Sequence, residues 1–174
     1  MTDTYDLSTD IVDRIAGLAP GLPTHATRHK RDKVAAATQR SYEALFDPAL
    51  PDLSLTERLL VALYACTLSN APALAEHYAE RLASSNADRA VIDQIVQGSI
   101  QAQEPRLRAM LSFTRTLIES PIDGDKATLE RLPAAGISTP AVVALAQLIA
   151  FLSYQIRLTV GLRALQVLNA TEAA

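Results

Sequence analysis

Apolar residues recur at helical spacing along most of this 174-residue chain, and no stretch of useful length alternates as a β-strand does. The clearest helix start is Ser54-Leu55-Thr56-Glu57, a capping box in which the side chains of Ser54 and Glu57 bind each other's backbone N–H. The segment 59–66 that follows is apolar on nearly every face, which predicts a helix at the centre of the core. The pattern therefore predicts an all-α protein.

Proline, glycine and asparagine residues interrupt the apolar pattern and divide it into a bundle of about seven to eight predicted helices. The first predicted helix runs from Ser8 or Thr9 to Gly17 and the second over about 27–46. The third begins at Ser54, the fourth at Pro72, the fifth covers about 88–98 and the sixth begins at Pro105. A short seventh helix closes at Pro133 or Gly136, and the last runs from Thr139 to about Leu168. With 49% hydrophobic residues, a chain of this length can bury one sizeable core. We expect one domain over residues 1–174.

Composition and charge exclude several classes of protein. A net charge of −3 gives no electrostatic basis for binding nucleic acid. The acidic N-terminus lacks the apolar core of a signal peptide, and the most apolar stretch, 141–154, falls short of the roughly 20 apolar residues of a membrane span. Cys66 is the only cysteine, which excludes an internal disulfide and a cysteine-based metal site. We predict a cytoplasmic protein with no membrane segment, no cofactor and no metal.

The order of several segments carries a resemblance to a known family. These segments are Ser41 to Phe46, Leu53 to Arg58, the apolar helix that ends near Ser69-Asn70, the helix with His77, Arg106 to Thr114, Leu132 to Ser138, and Tyr154 to Leu158. Over residues 42–165 they resemble the AhpD-like (carboxymuconolactone decarboxylase-like, CMD-like) superfamily and its peroxidase-related branch. The resemblance implies an AhpD-like helical bundle with residues 1–41 as an N-terminal helical extension. It also implies a homo-oligomer: a dimer, trimer or hexamer.

The chain departs from the resemblance at the redox motif. Redox-active members carry Cys-x-x-Cys, then three residues and a histidine, with a glutamate one helix earlier in a proton relay. Aligning His77 with the family histidine puts Asn70 and Ala73 at the two cysteine positions. The family glutamate, nineteen residues before the histidine, falls on Arg58, and Glu57 is its neighbour. The thiol peroxidase relay is therefore incomplete.

Three residues remain as candidates for catalysis: Glu57, Cys66 and His77. A one-residue shift of the alignment would place Glu57 at the family glutamate, although its place in the capping box already explains it. Cys66 lies in the apolar helix, where a buried thiol has a raised pKa, and we favour core packing over a working thiol. His77 is either a proton donor and acceptor in a pocket with Arg58, Asn70 and Tyr78, or a histidine that is hydrogen-bonded at a helix start or an interface. The sequence leaves both interpretations of His77 open.

The resemblance also leaves the enzyme class open between peroxidase and decarboxylase. Decarboxylases of the superfamily lack the cysteine pair and keep a histidine, and their chemistry needs an acid together with a cation that holds substrate carboxylates. Arg58 and His77 supply that pairing, although the family's acidic residue falls on Ala73.

Three functions follow. The favoured one is an alkylhydroperoxidase-related protein that has lost thiol catalysis and acts as a binding or structural oligomer. The second is a cofactor-free acid–base enzyme that uses His77 on a small carboxylated molecule. The third is a peroxidase, or antioxidant protein, that works through Cys66.

Two further features bear on partners. The histidines at 25 and 29 lie in a basic cluster with Arg28, Lys30, Arg31 and Lys33, which we interpret as a solvated helix end rather than an anion site. Two histidines without carboxylate partners make a poor metal site. The apolar residues of the last helix cover more than one face, and we expect part of that surface to contact another subunit.

Overall fold

A computed structural model describes residues 10–85, 87–101 and 103–172. Within these ranges the chain forms nine α-helices and no strand, which confirms the all-α prediction. The helices are α1 (Ile11–Ala16), α2 (Pro23–His29), α3 (Asp32–Leu45), α4 (Leu55–Leu68), α5 (Pro72–Ser84), α6 (Arg89–Val96), α7 (Pro105–Glu119), α8 (Lys126–Ala134) and α9 (Thr139–Glu172), with a short 3-10 helix at Pro121–Asp123. The predicted start of the first helix at Ser8 or Thr9 lies outside the described residues.

The number of helices exceeds the prediction because one predicted helix is two. The apolar pattern predicts a helix over about 27–46, whereas α2 begins earlier, at Pro23, and ends at His29. Proline suits the first helical position because its missing N–H has no partner there in any case. Lys30 and Arg31 then separate α2 from α3, which raises the number of helices to nine.

Other helix starts follow the sequence closely. At α4 the N–H of Glu57 donates to Ser54 Oγ (3.1 Å) and the N–H of Ser54 donates to Glu57 Oε2 (2.7 Å), so the predicted capping box is confirmed. Proline opens α5 and α7 as predicted. At α9 the hydroxyl of Ser138 caps the helix by accepting from the N–H of Ala141.

The chain divides into two compact units. The central unit comprises residues 46–153, with α4 to α8 and the first part of α9. Every residue from Arg58 to Cys66 is buried, and α4 contacts α5, α6 and α7. The helix predicted to lie at the centre of the core therefore does so.

The N-terminal unit comprises the described residues up to 45 together with those from 154 onward. Its apolar core is formed by residues of α1, the turn after it and the last part of α9: Ile11, Val12, Ala16, Leu18 and Leu162. Side-chain amides connect its elements, since Gln39 Oε1 accepts the N–H of Ile11 (2.9 Å) and Asn169 Nδ2 donates to Thr24 Oγ1 (2.9 Å).

By length and composition alone, one helix in the described part of the chain, Thr139–Thr171, is long and apolar enough to cross a membrane. The sequence expectation of no membrane span rested on a shorter apolar stretch of this helix. Core helices meet the same criterion, and α9 buries Leu145, Leu148 and Leu152. The absence of a membrane span therefore stays a prediction.

Candidate functional site

The junction of α4 and α5 forms a small cavity at the position where the resemblance predicts chemistry. Asn70, between the two helices, adopts a left-handed backbone conformation with φ 50°, which asparagine tolerates better than most residues. The cavity has a volume of about 350 Å³. Its lining is largely apolar and includes Leu63, Cys66, Thr67, Asn70, Ala75 and Glu76. The structure thus brings Cys66 and Asn70, two predicted site residues, to one cavity.

The thiol of Cys66 is poorly suited to nucleophilic chemistry. Cys66 is 0% exposed, and burial raises the pKa of its thiol to about 12. Since the thiolate is the nucleophile, a pKa near 12 leaves about one thiol in 10⁵ reactive at pH 7. Core packing, the interpretation that the sequence favoured, accounts for this residue.

Glu57 is held by an ion pair at the start of α4. Arg106 Nε donates to Glu57 Oε1 at 2.7 Å, while its Nη1 and Nη2 donate to the carbonyl oxygens of Gly136 (2.8 Å) and Asp52 (3.0 Å). Burial alone would raise the pKa of Glu57, but the hydrogen bonds from Arg106 and Ser54 outweigh it and lower the pKa. Glu57 therefore has a structural role.

The guanidinium of Arg58 is buried and donates to backbone carbonyl oxygens. Arg58 is 1% exposed, and its Nη2 donates to the carbonyl oxygen of Asp47 at 2.9 Å. Its Nε lies 3.4 Å from the carbonyl oxygen of Ser54. Burial lowers the pKa of this guanidinium below its usual value. Arg58 is a buried connector between α4 and the segment before it.

His77 and Tyr78 are buried on α5. His77 is 7% exposed, and its ring centroid lies 5.1 Å from that of Tyr78. Tyr78 packs on Phe46 with 5.3 Å between ring centroids, and the guanidinium of Arg81 lies over the Phe46 ring, 5.1 Å from its centroid. Among the described residues that line the α4–α5 cavity, neither His77 nor Arg58 occurs. Of the predicted binding residues, Asn70 lines the α4–α5 cavity, whereas Arg58 and Tyr78 are not among its lining residues.

The N-terminal unit holds a cluster that sequence reasoning missed. Arg28 donates to Asp13 Oδ1 at 2.7 Å and to Asp10 Oδ2 at 3.0 Å, and Nε2 of His29 lies 2.6 Å from Asp13 Oδ2. The expectation that His25 and His29 have no carboxylate partner is therefore wrong. Treating Arg28 as part of a solvated helix end is also wrong, since its side chain is 6% exposed.

The signal for this cluster was weak in the sequence. Asp10 and Asp13 lie on one turn at the start of α1, and the histidines lie one turn apart on α2, but nothing in the pattern fixes how α1 and α2 pack. The neighbouring Lys30, Arg31 and Lys33 are exposed, as predicted.

No protein-family model matches the chain, and no curated protein matches it with a significant score. The AhpD-like resemblance therefore stays a prediction that rests on the order of the sequence segments described above.

Proposed function

We propose that this protein is an AhpD-like oligomer that does not use thiol chemistry and that binds a small, largely apolar molecule at the α4–α5 junction. The observation that carries the proposal is the state of Cys66, the only cysteine in the chain, which is fully buried with a pKa near 12. A peroxidatic thiol needs a low pKa and access to its substrate. Cys66 has neither property.

The cavity beside Cys66 supports a binding role. Its volume of about 350 Å³ lies at the lower end of the range of small-molecule pockets. Leu63, Ala75 and Val96 contribute apolar surface, while Thr67 and Asn70 offer a few polar atoms. This combination suits a small molecule that is mostly apolar and has one or two hydrogen-bonding groups.

Acid–base catalysis through His77 receives less support from the same geometry. The cation that would hold substrate carboxylates, Arg58, donates to backbone carbonyl oxygens, and His77 packs beside Tyr78. Neither Arg58 nor His77 is among the residues that line the α4–α5 cavity, so the lining offers a ligand no contact with them. For that reason we place the binding function first.

The exposed surface of α9 supports assembly with a second copy. In the N-terminal unit, Val160, Val167 and Leu168 are 54%, 67% and 60% exposed. Their spacing of seven and eight residues places them along one side of the helix, where a partner helix would pack. Light scattering at micromolar concentration should give a multiple of the chain mass, and Val167→Glu should shift the protein toward monomer. A monomeric wild type would contradict this part of the proposal.

Hydroperoxide consumption with excess dithiol tests the absence of thiol chemistry. We expect no turnover above background for wild type, Cys66→Ser or His77→Ala. Turnover in wild type that Cys66→Ser abolishes would establish a one-cysteine peroxidase and refute the proposal.

Binding at the cavity is tested with an environment-sensitive apolar fluorophore as a probe. Ala75→Leu adds volume to the cavity wall and should weaken binding of the probe at least about tenfold, because overpacking removes the space that the probe needs. Ala37→Leu is the matched control, since Ala37 is exposed on α3. Equal binding by both variants would place the probe elsewhere.

A further inference from the structure

Histidine and carboxylate side chains meet between α1 and α2 of the N-terminal unit. Asp13 is buried on α1, and the side chains of His25 and His29 on α2 are 16% and 10% exposed. One ligand atom of each of the three residues lies within 4.8 Å of the other two. We propose that Asp13, His25 and His29 bind a divalent transition-metal ion of the zinc class. This site is independent of the function proposed above.

The spacing of the donor atoms fits one ion. A separation of four residues places His25 and His29 one above the other on α2, with 4.2 Å between ring centroids. Both Nε2 atoms face the same oxygen, Asp13 Oδ2, at 3.8 Å from His25 and 2.6 Å from His29. Neighbouring ligand atoms in a tetrahedral zinc site are about 3.3 Å apart, given bonds of about 2.0–2.1 Å. The two distances lie on either side of that value, so small side-chain rotations convert the cluster into a coordination site.

Arg28 orients the carboxylate toward the histidines. Its Nη1 donates to Asp13 Oδ1 at 2.7 Å, and its Nη2 donates to Asp10 Oδ2 at 3.0 Å. Asp10 in turn accepts the backbone N–H groups of Val12 and Asp13 through Oδ1. With Oδ1 of Asp13 bound to Arg28, Oδ2 is the oxygen left to face His25 and His29. Hydrogen bonds to a metal-ligating side chain commonly fix its orientation in this way.

The charge of the cluster favours a cation. Asp10 and Asp13 contribute two negative charges and Arg28 one positive charge, and all three side chains are at most 8% exposed. These three charges sum to −1, and a divalent cation bound beside Asp13 adds charge of the opposite sign.

Two features of His29 limit the affinity of the site for a metal ion. Arg28 Nη1 lies 3.3 Å from Nε2 of His29 and repels a cation there. When Nε2 of His29 binds a metal, the ring proton resides on Nδ1, and Nδ1 is buried without a hydrogen-bond partner in the residues that the structure describes. Partners behind a metal-binding histidine contribute about 10–100-fold to affinity. We therefore expect weaker binding than at a fully supported zinc site.

The donor set defines the class of metal. Two imidazole nitrogens and one carboxylate oxygen suit zinc, cobalt or nickel better than magnesium or calcium, which prefer oxygen ligands. Three protein ligands leave one position for water or a substrate oxygen, which is the coordination of catalytic rather than structural zinc sites.

Cobalt(II) is the direct probe of this site. The full chain, without a histidine tag and freed of metal with a chelator, should bind one Co²⁺ with the intense visible absorption of a four-coordinate ion, and Zn²⁺ should displace it. His25→Ala, His29→Ala and Asp13→Asn should each weaken binding at least about tenfold. His77→Ala removes the third histidine, which lies in the central unit, and should bind Co²⁺ as wild type does.

Circular dichroism separates loss of the site from loss of the fold. Zn²⁺ should raise the melting temperature of wild type and His77→Ala, because binding stabilises only the folded state. It should leave the melting temperatures of folded His25→Ala and His29→Ala unchanged. Folded wild type that binds no Co²⁺, or equal Co²⁺ binding by wild type, His25→Ala and His29→Ala, would overturn the proposal.

Discussion

The central and N-terminal units use charged side chains in different ways. In the central unit, Arg58 and Arg106 bind backbone carbonyl oxygens, and the carboxylate of Glu57, which also pairs with Arg106, caps a helix. In the N-terminal unit, the charged side chains of Asp13 and Arg28 bind one another and a histidine. A side chain that satisfies backbone groups is committed to the fold, whereas a cluster of side chains can exchange a partner for a ligand. The family resemblance directs attention to the first unit, but the second holds the exchangeable groups.

The largest expected effects come from removing one buried arginine from each unit, Arg28 from the N-terminal unit and Arg58 from the central unit. Arg28→Ala leaves the buried carboxylates of Asp10 and Asp13 without their counter-ion and should lower the free energy of unfolding by about 3–5 kcal/mol. Arg58→Ala removes hydrogen bonds to carbonyl oxygens and should cost about 1–3 kcal/mol. Urea unfolding at one pH measures both. A larger loss of unfolding free energy for Arg58→Ala than for Arg28→Ala would contradict the difference drawn between the two units.

Arg106→Ala should have a smaller effect. It removes hydrogen bonds to Glu57, Gly136 and Asp52, but its side chain is 34% exposed and solvent screens the ion pair. We expect a loss of about 1–2 kcal/mol in the free energy of unfolding. Arg106→Lys should recover only a minor part, because an ammonium lacks the planar fork that reaches three oxygens. Full recovery by lysine would mean that charge alone matters here.

The control for this experiment is Arg89→Ala. Arg89 forms an exposed i,i+4 pair with Asp93, and such pairs contribute little to stability. We expect the same urea midpoint as wild type.

The smallest expected effect is the pH dependence of Glu57. Because its pKa is lowered in the folded state, its contribution is complete above the usual value of 4.5 and disappears as the pH falls through the lowered pKa. Wild type should exceed Glu57→Gln in unfolding free energy by about 0.5–1 kcal/mol at pH 7. The difference between the two proteins should shrink below pH 4.5. A difference that stays constant down to pH 3 would contradict the structural role of this carboxylate.

Local signals predicted most of the fold. The capping box at Ser54 and the prolines at positions 72 and 105 determine helix starts through backbone chemistry within a few residues, and the structure has those starts. The pattern missed the break at Lys30 and Arg31. Helix α2 ends there although the sequence has no proline or glycine at these positions. The local pattern therefore does not predict this end of α2.

The candidate site was predictable only in part. The burial of Cys66 follows from an apolar helix with no polar face, so its low reactivity could be anticipated from the sequence. The partners of Arg58, His29 and Asp13 depend on how helices pack, across 11 residues for Arg58 with Asp47 and 16 residues for His29 with Asp13. Residue types and spacing alone do not determine such partners.

The reactivity of the single thiol tests the central claim most directly. A chromogenic disulfide reagent at pH 8 should leave Cys66 unmodified in the native protein for as long as the chain stays folded, and it should report one thiol per chain in denaturant. Slow native modification should follow the rate of unfolding. Modification of the native protein as fast as of a free thiol would place Cys66 at the surface with a reactive thiolate, and it would contradict a function without thiol chemistry.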